Sequence, residues 1–288
     1  MKEYCPLCKS KKNEFLLKGY NVHGRYLFNK DDVFDLFHCL NCGCIFVGNV
    51  DVNQQYYKKY YGSQYYSNSY SGKFIENLLF KYSISRKEKF ILKNFIKKTE
   101  KIKILDIGCG DGNFLSKLES TRFKKYGVEI SEEGYELSVR QGIEVFKGDF
   151  ADIDFQDKKF EVITLWHVLE HIEHPVRLFS NVSRILEKGG VLIFETPNVN
   201  SFGFRYGGAK WFHLDSPRHL ILYNLESVKW LCGRTNFKIS EVKNEFYDYP
   251  LDLFWSLRAT MAKFFVYPLY LFMKIFSKES LTFICRKG

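Results

Sequence analysis

From residue 101 onward the chain alternates short apolar runs with stretches whose apolar positions recur at helical spacing. Ile102-Lys103-Ile104-Leu105-Asp106-Ile107 has the pattern of a strand buried on both faces. A glycine-rich turn, Gly108 to Gly112, leads from it into a helical pattern over Asn113 to Leu118. Lys125 to Ile130, Ile143 to Lys147 and Phe160 to Trp166 predict three more strands, and Ser131 is placed to cap the helix after the first of them. Asn224-Leu225-Glu226-Ser227 opens a later helix, while Phe237 to Phe246 and Ser280 to Arg286 predict the closing strands. Strands alternating with helices imply a doubly wound α/β sheet. Upstream the pattern differs: Ile45-Phe46-Val47 predicts one short strand, and seven tyrosines between Tyr56 and Tyr70 mark a connector. The expected organisation is a small domain over 1-50, a Tyr-rich connector and leading helix over 51-99, and an α/β core over 100-288 with an apolar insertion at about 251-277.

Composition narrows the classes. With 288 residues, 45% hydrophobic and 26% charged, the chain has enough apolar material for a large core, which excludes wholesale disorder and collagen-like repeats. A net charge of +10 favours anionic partners without choosing among them. Met1 leads into Lys2, Glu3 and a cysteine pair with no apolar run, so a cytoplasmic location is expected. In the insertion, the longest uncharged run is Phe264 to Met273, interrupted by Pro268. Crossing a bilayer takes ~20 apolar residues. The segment is therefore expected to pack on the core or on a second subunit, with peripheral contact at the inner membrane face as the alternative.

Five of the eight cysteines fall within the first 44 residues. Cys5-Pro-Leu-Cys8 and Cys39-Leu-Asn-Cys42 form two C-x2-C pairs, each able to sit on one tight turn, and together they predict a tetrahedral zinc site; Cys44 and His38 are spare ligands. A ribbon of this kind can also bind nucleic acid. Leu40, Asn41, Gly43 and Ile45, however, supply no cation to meet phosphates, so nucleic acid is not the expected partner.

In the core, glycines at a strand-to-helix turn let a ligand approach backbone amides and a helix end. The spacing is G-x-G-x-G with Asn113 where a dinucleotide fingerprint would place its third glycine, which argues against a dehydrogenase. Glu129 ends the second strand, placed to accept from both hydroxyls of a ribose, and Asp149 with Phe150 follows the third, suited to an adenine amine and ring. At these residues the chain resembles the class I S-adenosylmethionine-dependent methyltransferases over roughly residues 100 to 246 plus the last strand. That resemblance implies a seven-strand doubly wound (Rossmann-like) sheet, behind the N-terminal zinc ribbon that the cysteine spacing predicts. It implies that Asp106, Gly108, Gly110 and Gly112 hold the methionine portion of S-adenosyl-L-methionine, Glu129 the ribose, and Asp149 with Phe150 the adenine. The cysteine pairs, the Tyr-rich connector, Glu195-Thr196-Pro197-Asn198 and the Trp211 to Leu220 segment look like a subgroup associated with bacterial surface-saccharide and sugar biosynthesis, implying an anionic small-molecule or glycan substrate.

After the fourth strand, His167, Glu170 and His171 stand at i, i+3 and i+4, on one face of a helical turn. Similar segments, with Glu in place of His167, bind a divalent cation in ubiquinone-biosynthesis O-methyltransferases, with a downstream His completing the site. His219 stands where that partner is expected, which makes a second divalent cation a candidate. Without metal, His167 or His171 is the candidate base, as an imidazole neutral near pH 7. Arg218 and Arg205 are candidates to hold an acidic group of the acceptor, and Trp211 and Tyr206 either stack on its ring or serve as core aromatics.

Overall fold

A computed structural model describes residues 4–20, 32–61, 74–95, 100–245, 252–258 and 260–288. Tyr65, Tyr66 and Tyr70 of the connector, Phe246 and Leu251 lie outside these residues. In chain order the strands are β1 (Asn13–Gly19), β2 (Phe34–Cys39), β3 (Ile45–Val47), β4 (Ile102–Ile107), β5 (Phe123–Glu129), β6 (Glu144–Lys147), β7 (Phe160–Trp166), β8 (Leu186–Pro197), β9 (Ile221–Leu222), β10 (Phe237–Glu245) and β11 (Ser280–Lys287).

Seven of them form the main sheet in the order β10-β11-β8-β7-β4-β5-β6. From β6 to β8 neighbouring strands are parallel, and β11 enters antiparallel between β8 and β10. The chain winds outward from β4 through β5 to β6 and then returns to β7 on the other side of β4. This reversal opens a crevice at the carboxyl ends of β4 and β7, where doubly wound sheets bind ligands. The first six residues of β7 are all buried, as an apolar strand covered by helices on both faces must be. The helix Pro175–Ile185 covers one face with Leu178, Phe179, Val182 and Ile185, a stripe at helical period, and proline fits its first turn because no amide hydrogen is needed there. Ser131 caps the helix Glu132–Arg140 as the sequence predicts, its hydroxyl accepting from the Gly134 amide at 3.1 Å.

The second sheet, β1-β2-β3-β9, crosses the domain boundary expected at residue 50. β9 comes from the core: Ile45 pairs with Leu222 and Phe46 with Ile221. The Val47 amide donates to the Leu220 carbonyl at 3.1 Å, the Asn224 side-chain amide to the Gly43 carbonyl at 2.9 Å, and the Tyr56 hydroxyl to the Pro217 carbonyl at 3.2 Å. A three-residue strand such as β3 leaves an open edge, and β9 covers it. The N-terminal strands and the core therefore share one buried cluster, which includes Cys5 and Leu36 of the former and Phe283 and Cys285 of the latter.

Candidate functional site

The glycine turn after β4 is pinned to the end of β5, because the amides of Gly108 and Cys109 both donate to the Val128 carbonyl, at 2.8 and 3.0 Å. Gly108, Gly110 and Gly112 all have positive φ, of 70°, 55° and 78°. At two of these positions space as well as conformation demands glycine. A Cβ on Gly108 would stand 2.6 Å from a Val168 methyl, and one on Gly112 would stand 2.6 Å from Ile143 and 3.0 Å from the Ser138 Cα. The buried Glu129 carboxylate accepts from the Gly110 amide at 2.9 Å through one oxygen and from the Ser131 amide at 2.8 Å through the other, holding the turn and the following helix start together. Asp106, buried at the end of β4, accepts from the Thr164 hydroxyl at 2.6 Å. Burial pushes its carboxyl up to about 7, opposed by that hydrogen bond and by the charge of Lys87. Asp149 is exposed and caps the Ala151 amide at 2.9 Å, whereas Phe150 is buried against Phe155, with ring centroids 5.6 Å apart.

The four residues expected on the acceptor side converge. His167 Nδ1 lies 3.3 Å from Glu170 and Nε2 lies 3.2 Å from Glu195, both carboxylates fully or almost fully buried. His219 Nε2 lies 4.0 Å from Glu170, and the His171 and His219 rings meet edge to face with centroids 4.7 Å apart. Only Leu169–His171 is helical, a single turn; His167 precedes it with φ +54°, so it does not ride the helix face that its spacing implied. Its amide instead donates to the Glu195 carbonyl at 3.0 Å, which turns the ring between the two acids.

The electrostatics separate the three imidazoles. Burial disfavours a charge on His167, but hydrogen bonds to Glu170 and Glu195, and their negative charge, outweigh it and hold its pKa up at about 10. Burial also acts to raise Glu170, yet the His167 hydrogen bond and charge bring it down to about 2. His167 is therefore an imidazolium near neutral pH, which removes it from the base role expected for it. Burial lowers His171, and burial with the neighbouring His171 takes His219 down to about 3, so both are neutral. Their tautomers are fixed by backbone carbonyls, which can only accept. His171 Nδ1 donates to the Arg218 carbonyl at 3.0 Å, beside the Tyr61 hydroxyl at 2.9 Å, and His219 Nδ1 donates to the His213 carbonyl at 2.7 Å. Each ring thus offers the lone pair of Nε2. One ligand atom from each of Glu170, His171 and His219 lies within 4.8 Å of the others, a set that a divalent cation fits.

Several partners in this cluster come from positions that the sequence pattern did not connect. Glu195, at the end of β8, was visible only as part of a motif. Lys87, on the leading helix Phe74–Asn94, lies 3.8 Å from Glu195 and 4.0 Å above the Trp166 ring. Arg218 is buried against Asp215 at 2.7 Å, so its charge is already engaged by an acid of the chain. Trp211 is fully buried and donates from Nε1 to Glu279 at 2.7 Å; it is a core residue and not a platform for a ligand ring. Tyr206 is half exposed and packs on Phe202, and Arg205 is exposed.

At the ribbon, the thiols of Cys5, Cys8, Cys39 and Cys42 lie within 4.8 Å of one another, as their spacing predicts. Cys44 adds a fifth sulfur, 3.5 Å from both Cys5 and Cys42, while His38 is engaged by Glu14 at 3.2 Å. The Asn41 side-chain amide donates to the Cys8 sulfur at 3.4 Å.

A parallel sheet reversed at β4, a turn of positive-φ glycines and a buried acid closing the next strand define the core as a class I S-adenosylmethionine-dependent methyltransferase domain. A family model described as a methyltransferase domain matches residues 79–242, more than half of the chain, and the chain belongs to that family. The ubiquinone biosynthesis O-methyltransferase of Actinobacillus pleuropneumoniae serotype 7 is 23% identical over 171 residues, which is 53% of this chain and 73% of that enzyme. An uncharacterized protein of Methanocaldococcus jannaschii, MJ1123, is 32% identical over 98 residues, covering 34% of this chain and 46% of that protein, so this chain spans less than half the length of that relative. Among solved structures, magnesium protoporphyrin IX methyltransferase from Synechocystis PCC 6803 with bound SAH superposes with a TM-score of 0.57 at 12% identity, over 82% of this chain and 100% of that one. At such identity the likeness is one of fold.

Proposed function

We propose that the protein transfers a methyl group from S-adenosylmethionine to a hydroxyl of a saccharide or nucleotide-linked sugar, with His171 as the base. The observation that carries this reading is the pair of imidazoles whose Nδ1 atoms are held by the Arg218 and His213 carbonyls, with His219 Nε2 4.0 Å from the buried Glu170 carboxylate beyond β7. Val168, in the turn that presents them, touches Gly108, so the acceptor cluster abuts the proposed cofactor turn. When bound, the sulfonium supplies an electrophilic methyl group. The chain's residues do the rest. Gly108 to Gly112 leave room for the methionine portion, Glu129 accepts from the ribose, and Asp149 accepts from the adenine amine. His171 Nε2 takes the hydroxyl proton, and the Arg218 carbonyl on Nδ1 steadies the charge that develops on the ring. The His213 carbonyl on Nδ1 orients His219 beside it, next to Glu170 neutralised by His167. A sugar offers several hydroxyls of similar acidity, so positioning next to a base, more than acidity, selects the methylated oxygen.

Glu170, His171 and His219 also suit a divalent cation, which would then bind the acceptor oxygen and lower its pKa. The ribbon thiols suit a structural zinc held by Cys5, Cys8, Cys39 and Cys42. Turnover of labelled donor against a panel of nucleotide sugars and glycans, with mass spectrometry locating the methyl group, tests the acceptor class. Methylation at a sugar oxygen supports the reading; methylation only at a nitrogen, or only of RNA, contradicts it. Turnover that survives chelation places the proton on His171 alone, and turnover lost on chelation with SAH affinity intact assigns the cation.

A further inference from the structure

The segment between β10 and β11 has two faces. Inward, Leu253, Leu257 and Val266 form a small buried cluster with Phe202 and Met273 against it. Asp252 is fixed there by His213 Nε2 at 2.9 Å, and the Ser256 hydroxyl accepts from the Phe212 amide at 2.9 Å. Outward stand Met261, Phe264, Phe265, Leu269, Phe272 and Phe276, between 58% and 79% exposed. Six large apolar side chains within sixteen residues form a patch of the kind that marks an interaction surface. No helix among the described residues is long and apolar enough to cross a membrane.

The charges decide the partner. Residues 252–278 carry Arg258, Lys263, Lys274 and Lys278 against a single acid, Asp252, which is turned inward. The exposed Arg258 lies 4.8 Å over the Trp255 ring, and Lys263 lies 5.1 Å over Phe264, so cations sit beside the exposed aromatics. Rings with cationic neighbours match the boundary between acyl chains and anionic headgroups. A symmetric contact with a second copy would bring these cations face to face with no acid of the segment to offset them.

We propose that the outward face of residues 252–277 docks on a bilayer surface rich in anionic lipid. The face is anchored to the acceptor side, since Asp252 holds His213 and the His213 carbonyl holds His219. Docking nevertheless stands independently of the proposed sugar chemistry. Flotation of the full chain with vesicles of phosphatidylcholine containing phosphatidylglycerol, against phosphatidylcholine alone, is the test. Binding is expected to be about tenfold stronger to the anionic vesicles and to fall with salt. Phe264→Asp with Phe265→Asp should abolish it, and Arg258→Glu with Lys263→Glu should remove the preference for anionic lipid. Unchanged SAH affinity and melting of the variants show that the fold persists. Absence of binding to anionic vesicles overturns the proposal. So does a dimer in sedimentation that Phe264→Asp dissolves while vesicles recruit nothing.

Discussion

His167 is the counter-charge of two carboxylates that solvent hardly reaches, and replacing it by asparagine measures what that arrangement contributes. Asparagine is chosen because it tolerates a left-handed backbone, so the φ of +54° at this position adds little to the result. It is neutral and too short to span Glu170 and Glu195, which His167 meets at 3.3 and 3.2 Å. Each charge-assisted bond is worth about 1.5–3 kcal/mol. Breaking a buried ion pair by removing one partner costs about 3–5 kcal/mol. The Thr196 hydroxyl still donates to Glu170 at 3.1 Å, the Thr282 hydroxyl donates to Glu195 at 3.3 Å, and Lys87 remains 3.8 Å from Glu195, so the low end, about 3 kcal/mol, is expected. The pH dependence carries a sign. A histidine whose pKa rises on folding from 6.5 to about 10 contributes stability that is fully present below 6.5 and is lost as pH climbs through about 10. The gap between wild type and His167→Asn should therefore be widest at about pH 5–6, shrink steadily toward about pH 10, and shrink again below about pH 4.5, because Glu170, which His167 holds down at about 2, loses that stabilisation as it takes up its proton. Urea unfolding of both proteins in the presence of chelator, followed by circular dichroism, reads it directly. A gap under about 0.5 kcal/mol at about pH 6, or one that ignores pH, would refute the clamp.

Other perturbations follow from the same geometry. Gly112→Ala should lower stability by about 2–4 kcal/mol, combining the cost of left-handed φ with overpacking on Ile143 and Ser138, and a melting curve that does not move would contradict it. Glu129→Ala removes an acceptor from the amides of Gly110 and Ser131 and should weaken SAH by about 1.5–3 kcal/mol in calorimetry, with unchanged affinity as the contrary result. Cys39→Ser should release zinc and reduce turnover while SAH affinity holds, because β3 supports the strand that follows His219 and leaves the glycine turn untouched; metal analysis with calorimetry checks both halves.

Much of the fold was legible because its central strands carry their signal locally. β4 and β7 are apolar runs buried on both faces, and the glycine turn between strand and helix can be read from residue type alone. β8 was hidden: its first half contains Glu187, Lys188 and two glycines, with Gly189 at φ +81°, and burial is interrupted from Glu187 to Gly189. β9 has two residues, too few for any periodicity, and exists because β3 needs an edge partner. The histidine cluster was visible as a spacing, but its meaning was not. Whether an imidazole is a base or a fixed cation depends on Glu195, 28 positions away, and no pattern within one turn reports that. Trp211's choice between a stacking role and the core is likewise made at a distance, since Glu279, 68 positions later, satisfies its indole nitrogen in the interior.

The central claim is that His171 removes a proton from a hydroxyl acceptor, and a comparison of His171→Ala with wild type in single turnover tests it most directly. Labelled donor and the acceptor found in the panel are mixed with excess enzyme, and methyl transfer is followed alongside SAH affinity. The account predicts a rate lower by about 10²- to 10⁴-fold with SAH affinity unchanged, and a wild-type rate that rises with pH as His171 loses its proton. Full activity in His171→Ala, or a loss matched by an equal loss of SAH binding, would contradict it.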